Sequence, residues 1–234
     1  MALDEVLLGR LRSGRRGPAL RIWRWAAPAL VIGSHQSVRN EVDTAAARAL
    51  GFTVTRRISG GGTMLAEPGR TVTFSVYAPA DLVRGLTLVE SFRRLDAFAV
   101  AALQGLGVPA GYRPINDIVS PGGKIGGAAQ ARRGPAVLHH TTMAHSMDPL
   151  LLERLLRLGR ERVSPVGIRS AVRVVTPIDT FTGVGPEEVV RALAGAFARL
   201  APLSPAPVDE GEEEEARALA RDKFSTPAWI ERLP

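Results

Sequence analysis

Two periods run through the hydrophobic positions of this chain and divide it into helices and strands. Between residues 87 and 106, Leu88, Phe92, Leu95, Ala99, Ala102 and Leu106 recur at helical spacing, and Gly107 and Pro109 stop the pattern. Residues 70–78, RTVTFSVYA, alternate instead, with Val72, Phe74 and Val76 facing one way, and predict a strand. Further strands are predicted at 20–25 and 29–34, split by a turn at Pro28, and at 52–58, 111–119, 124–131 and 136–147. Helices are predicted at 2–12, at 43–50 behind the cap Asp43, and at 149–160, 186–200 and 212–223. Strands outnumber crossover helices in the first 150 residues. The pattern therefore predicts an α/β (α+β) fold with a mixed, largely antiparallel sheet flanked by helices. No G-x-G-x-x-G follows a first strand, which argues against a dinucleotide-binding domain. Residues 200–215, LAPLSPAPVDEGEEEE, read as a solvated linker into a last helix that begins with acids, as its dipole prefers.

Composition narrows the possibilities. The 234 residues are 45% hydrophobic and 23% charged, the balance of an ordinary globular protein. No apolar run approaches the roughly 18–20 residues that span a bilayer. The N-terminal segment places acids before its apolar residues and bases after them, the reverse of a secretory signal, so a cytoplasmic location is expected. There is no cysteine, hence no disulfide, thiolate metal site or thiol nucleophile. Residues 209–234 hold eight acids and four bases, which leaves 26 bases against 15 acids, or +11, in residues 1–208. Such a surface suits an acidic partner. Nucleic acid is not expected, because aromatics are 5% of the chain and are not interleaved with basic clusters.

Three segments carry candidate chemistry. RRISGGGT (56–63) follows a strand with three glycines whose amides can turn inward onto an anion, with Arg56, Arg57 and the Ser59 hydroxyl expected at the rim. It lacks the spacing and the Lys-Ser/Thr of a Walker-type loop. INDIVSPGGKIGGAAQARR (115–133) contains Lys124, one of only two lysines beside 28 arginines. A compact ammonium among glycines suits a closely held phosphate or carboxylate oxygen. If 117–119 and 124–131 pair across SPGG, Asp117 and Lys124 meet at one end of a hairpin. There Asp117 could hold Mg²⁺, orient the ammonium or simply pair with it. LHHTTMAHS (138–146) puts His139 and His140 on opposite faces of a strand, one lining a pocket and the other packing, with no Cys or Glu nearby to complete a zinc set. A Ser/His/Asp hydrolase lacks its G-x-S-x-G elbow.

Together these segments resemble the lipoate–protein ligase branch of the biotin/lipoate protein ligase family. MALDEVLL (1–8) is similar to its opening helix and PALVIGSHQSVRNEVD (28–43) to its second segment. RRISGGGT resembles its glycine loop, NDIVSPGGKIGGAAQARR its lysine segment, LHHTTMAHSMD the following strand, and ARALARDKFSTPAWIERL its closing helix and Trp. The resemblance implies a catalytic domain over residues 1–200 with residues 201–234 packed on it. The implied fold is shared with biotin ligases and class II synthetases. It implies activation of lipoate by ATP and Mg²⁺ to an acyl-adenylate. Transfer would follow to a lysine of an acidic lipoyl domain, of 2-oxoacid dehydrogenases or the glycine cleavage H protein. By position, Lys124 would be catalytic. Arg57, Ser59, Gly60, Gly61, Gly62, Gly127 and His140 would line the adenylate, Asn116 and Asp117 would contact nucleotide and metal, and His35 would lie in the pocket.

The chain departs from the family pattern in places. After the glycine loop it has Met64 to Arg70 where the family commonly has an aromatic, His-Asp and Pro/Leu-Gly-Asn. Gly126 and Ala128 stand where the family has Ser and a later Asn, and Thr141 replaces a usual Gly. The accessory domain of longer ligases is absent, so a separate accessory subunit enters the expectations. The sister branch moves octanoyl or lipoyl groups through a cysteine, which this chain lacks, so that route needs another nucleophile. A non-catalytic lipoyl- or acyl-binding protein of the same fold is the alternative.

Overall fold

The computed structural model describes all 234 residues, Met1–Pro234. Two sheets organise it. The larger has six strands, all antiparallel, in the order β1 (Ala19–Trp23), β5 (Thr71–Pro79), β9 (Ala136–Ala144), β8 (Gly123–Arg133), β7 (Asp117–Ser120) and β6 (Gly111–Arg113). In the smaller, β2 (Ala29–Ile32) lies between a parallel β3 (Thr53–Arg56) and an antiparallel β4 (Met64–Ala66). The expected α/β architecture with its mixed, largely antiparallel sheet is therefore present.

The alternation along β5 explains how one strand serves two layers. Val72, Phe74 and Val76 pack beneath α4 (Leu88–Gly105) and α6 (Pro186–Ala198), with Leu95, Phe98, Ala99 and Leu193 completing that core. Each buried Val, Leu or Phe among these contributes roughly 1.5–3 kcal/mol. The helix α4 starts where sequence places it because Thr87 and Glu90 form a reciprocal capping box. The intervening residues Thr73, Ser75 and Tyr77 face the opposite side. There Tyr77 and Leu138 pack against Leu7 and Leu8 of α1 (Ala2–Arg12). A third cluster joins β2 to α2 (Val38–Glu41), α3 (Thr44–Ala49) and α5 (Pro149–Leu155). Asp43 caps α3 by accepting from the Ala46 amide, as predicted. No helix is long and apolar enough to cross a membrane.

Several boundaries differ from the periodicity. The segment 111–119 is two strands around a turn, and the predicted helix 149–160 ends at Leu155, where irregular chain begins. The strand β4 and the short helices α2 and α8 (Pro227–Ile230) were not visible, being only three or four residues long. Residues 202–209 are the irregular, largely exposed linker expected, but the acids from Glu210 onward are already helical. Asp209 and Glu212 cap α7 (Glu210–Leu219), so the acids form its first turns. Glu212 is buried between Arg10 and Arg16, and Glu215 also pairs with Arg10, which fastens α7 to α1.

Candidate active site

On the sheet face away from α4, a cavity of about 420 Å³ opens between the large sheet and the loop that leaves β3. Half of the residues lining it are apolar, among them Trp23, Met64, Leu65, Met147 and Leu152. Its charged lining is one-sided: Arg57, Lys124, Arg169 and Arg173 face a single carboxylate, Asp117. A site of this make-up suits an acid with an apolar tail and a phosphate.

The lysine reaches this face because of a β-bulge. Asp117 pairs with Gly127 and Ile118 with Gly126, but Val119 pairs with Lys124, so Ile125 is the extra residue. Regular alternation would put Lys124 and Gly127 on opposite faces. The bulge puts both on the cavity side, while Ile125 is buried in the α4 core. The Lys124 ammonium lies 2.7 Å from Asp117 Oδ1, the hairpin pair expected from sequence. Its stem crosses Gly127 so closely that a Cβ there would stand 2.7 Å from Nζ. The Lys124 backbone is held from outside as well, its amide donating to Val174 and its carbonyl accepting from Thr176, both at 2.8 Å.

Asp117 is saturated with cations. Arg113 Nη2 and Arg173 Nε lie 3.3 and 3.4 Å from its Oδ2. Burial pushes this carboxyl up, but Lys124 and the two arginines together hold it below its usual range. Mg²⁺ therefore does not fit at Asp117. Its oxygens are occupied by the three cations Lys124, Arg113 and Arg173. Asn116 reaches the cavity wall and also donates its side-chain amide to the Ala128 carbonyl.

The two arginines of RRISGGGT behave differently from the rim residues expected. Arg56 is completely buried and points away from the cavity. It donates to the carbonyls of Gly33, Gln36, Trp229 and Ile230 at 2.6–3.0 Å, tying the end of the chain to the small sheet. Arg57 does line the cavity, but its guanidinium is spent on the carbonyls of Val31, Gly60 and Gly62. Burial pushes its pKa down to about 10, so it remains a cation. By folding the loop around itself, Arg57 leaves the amides of Gly60, Gly61 and Gly62 without hydrogen bonds. Gly61 has φ +89°, and its carbonyl sits where a Cβ on Gly33 would lie, at 2.1 Å. Both positions require glycine.

His139 and His140 divide as the strand period predicts. His139 turns to the α4 core, where it meets Asp96 Oδ1 at 2.9 Å. His140 turns to the cavity wall, pairing across the sheet with Ser75 and Ala129. Ser59 lies behind that wall, with Oγ 2.6 Å from His140 Nε2. Gly60 and the exposed His35 are neighbours outside the cavity, since a Cβ on Gly60 would lie 3.7 Å from His35 Nδ1. The cavity thus gathers Arg57, Gly61, Gly62, Asn116, Asp117, Lys124, Gly127 and His140, but not Ser59, Gly60 or His35.

Sequence reasoning missed one whole wall. Residues 168–175, IRSAVRVV, contribute Ile168, Arg169, Ser170, Arg173 and Val175. Glu41 anchors this wall, bonding the Ser170 amide and hydroxyl as well as Thr63 at the end of the glycine loop. Asn40 does the same for the amides of Val163 and Ser164. The available signal was the pair of arginines spaced through an apolar run that fits no helix.

The model of the lipoyl protein ligase A/B catalytic domain matches residues 1–198, spanning the glycine loop, Lys124 and the histidine strand together. The chain belongs to this family. Octanoyltransferase LipM of Symbiobacterium thermophilum is 30% identical over 98% of this chain and 92% of its own length. The bi-partite lipoate protein ligase of Thermoplasma acidophilum, described with its E2 lipoyl domain, superposes with a TM-score of 0.82. It is 28% identical and covers all of this chain and 91% of its own. A lipoate-protein ligase A bound with ATP gives 0.80 at 28% identity, over all of this chain and 93% of that one.

Proposed function

We propose that this protein is an ATP-dependent acyl ligase. It would join lipoate or a related acid to AMP and pass the acyl group to a lysine of an acidic lipoyl domain. The observation that carries this reading is Lys124, held by Asp117 and the bulge inside a cationic cavity with an apolar wall. In the first step the acid's carboxylate attacks the α-phosphorus of ATP, the C–O–P linkage forms, and pyrophosphate leaves. In the second the lysine amine attacks the acyl carbon, the amide forms, and AMP leaves with the electron pair. Lys124 faces the oxygens that bear the growing negative charge in both steps, and the unbonded glycine amides offer further donors. Mg²⁺ would enter on the nucleotide's phosphates and not through Asp117. The likeness to an ATP-bound ligase and to a bi-partite ligase supports this reading, and the second supports an accessory polypeptide for adenylation. The +11 charge of residues 1–208 suits an acidic acceptor.

A second reading rests on the LipM relatives: transfer of an octanoyl or lipoyl group between carriers without ATP. Two assays separate the readings. The ligase should release pyrophosphate from ATP when given lipoate and Mg²⁺, and should transfer from preformed lipoyl-adenylate to a lipoyl domain without any partner. Failure of both assays, with transfer from an octanoyl thioester intact, selects the transferase. Lipoate binding by calorimetry with no turnover of any kind selects a binding protein.

The glycine under the lysine gives a sharper test of placement. Gly127→Ala is expected to push the ammonium aside and slow lipoyl-adenylate turnover by about 10²-fold, the usual cost of a displacement near 1 Å. Circular dichroism should show the fold retained. Turnover at the unsubstituted rate would remove Lys124 from the proposed position.

A further inference from the structure

Asp4, Ser59 and His140 come from three distant parts of the chain and meet in a fixed order beside the cavity. Ser59 Oγ lies 2.6 Å from His140 Nε2, and His140 Nδ1 lies 3.5 Å from Asp4 Oδ2. The carboxylate is clamped through its other oxygen. Asp4 Oδ1 accepts from Tyr77 at 2.5 Å, Arg21 at 3.0 Å and Ser75 at 3.2 Å. Oδ2 makes no hydrogen bond; its neighbours are the imidazole and, through its charge, the Met1 amino group. Burial lowers the His140 pKa against the opposing pull of Asp4, and Arg57 and His139 add to the lowering, so the imidazole is held in its neutral form. Beside Ser59 stand the amides of Gly60, Gly61 and Gly62, which donate no hydrogen bonds. A nucleophile, a base, an orienting carboxylate and spare amide donors are the parts acyl transfer requires.

We infer that Ser59 is an acyl-accepting nucleophile, activated by His140 and Asp4, which takes a medium-chain acyl group from a thioester without ATP. The inference rests on the transferase reading and supplies the nucleophile that a cysteine-free chain would need. Ser59 Oγ attacks the thioester carbonyl, the C–O bond forms, and its proton passes to His140 Nε2. The C–S bond breaks and the departing thiolate takes that proton. An acceptor lysine amine then attacks the ester, the C–N bond forms and the C–O bond breaks. The amine's proton returns through His140 to Ser59 Oγ. Ser59 itself is buried and does not line the cavity, whereas its partner His140 and the nearby Gly61 do.

The test incubates the full chain with octanoyl-pantetheine and no ATP, and follows intact mass with peptide mapping. One octanoyl group on Ser59 is expected, discharged when a lipoyl domain is added. Ser59→Ala should slow acylation by on the order of 10³-fold or more. Because this hydroxyl is buried, Ser59→Cys provides a second arm. It should carry the acyl group as a thioester that neutral hydroxylamine removes, and prior treatment with iodoacetamide should prevent its formation. Absence of an adduct on the unsubstituted chain, an adduct on Ser59→Cys alone, or acylation mapped to Lys124 overturns the proposal. An adduct on Ser59 that is never discharged to the lipoyl domain keeps the nucleophile and removes the transferase reading. Pyrophosphate release, measured separately, reports only on ligation.

Discussion

Replacing Lys124 with alanine is expected to slow transfer from preformed lipoyl-adenylate by about 10²–10³-fold, the usual loss when one preorganised charge is removed from a developing anion. Lipoate binding by calorimetry should weaken far less, because the apolar wall of the cavity is untouched. Lys124→Arg should fail almost as badly. The ammonium already sits so close over Gly127 that a Cβ there would be 2.7 Å from it, and a planar guanidinium is wider than the group it would replace. Arginine is also the chain's usual cation, 28 of 30 basic residues, so the exception at this site is physical and not compositional. Single-turnover kinetics with each variant measures the effect directly. Rates within a few-fold of the parent in both would exclude Lys124 from the chemistry.

Arg56→Ala is expected to lower stability by about 3–5 kcal/mol, as when one member of a buried polar set is removed and its partners are stranded. The carbonyls of Gly33, Gln36, Trp229 and Ile230 would lose their donor in a fully enclosed site. For a chain of this size the drop in Tm is on the order of 10 °C or more. Arg56→Lys should rescue little, because three rotating donors cannot address carbonyls from two segments as a planar fork does. Thermal unfolding by calorimetry checks both. A change below 2 °C would mean that the guanidinium bonds contribute nothing net.

These two basic residues show what a sequence does and does not disclose. The Lys124–Asp117 pair was legible because hairpin pairing is local and seven residues of spacing bring the two together. The bulge that turns Lys124 toward the cavity was not, since nothing in GGKIGG marks which residue is unpaired. The opposite fates of His139 and His140 follow from the period of two, and the structure keeps them. Arg56 and Arg57 are adjacent and chemically identical, so their separation into a structural tie and a loop organiser depends on acceptors supplied by distant segments. The same holds for Asp4. Its role as a clamped carboxylate needs Arg21, Ser75 and Tyr77, which sequence places in unrelated elements. The wall at 168–175 was missed because it has no regular period, being held by Glu41 and the Lys124 backbone.

The tie at Arg56 also bears on the order in which the protein is made. Trp229 and Ile230, which accept from Arg56, lie 173 and 174 residues beyond it. While the chain is still emerging from the ribosome, its cationic hub beneath the glycine loop lacks these acceptors. Contacts of such long sequence separation form late. The nascent chain thus completes the Arg56 tie only after its last helix has docked, and a stalled or prematurely ended product would carry every cavity residue while lacking that brace.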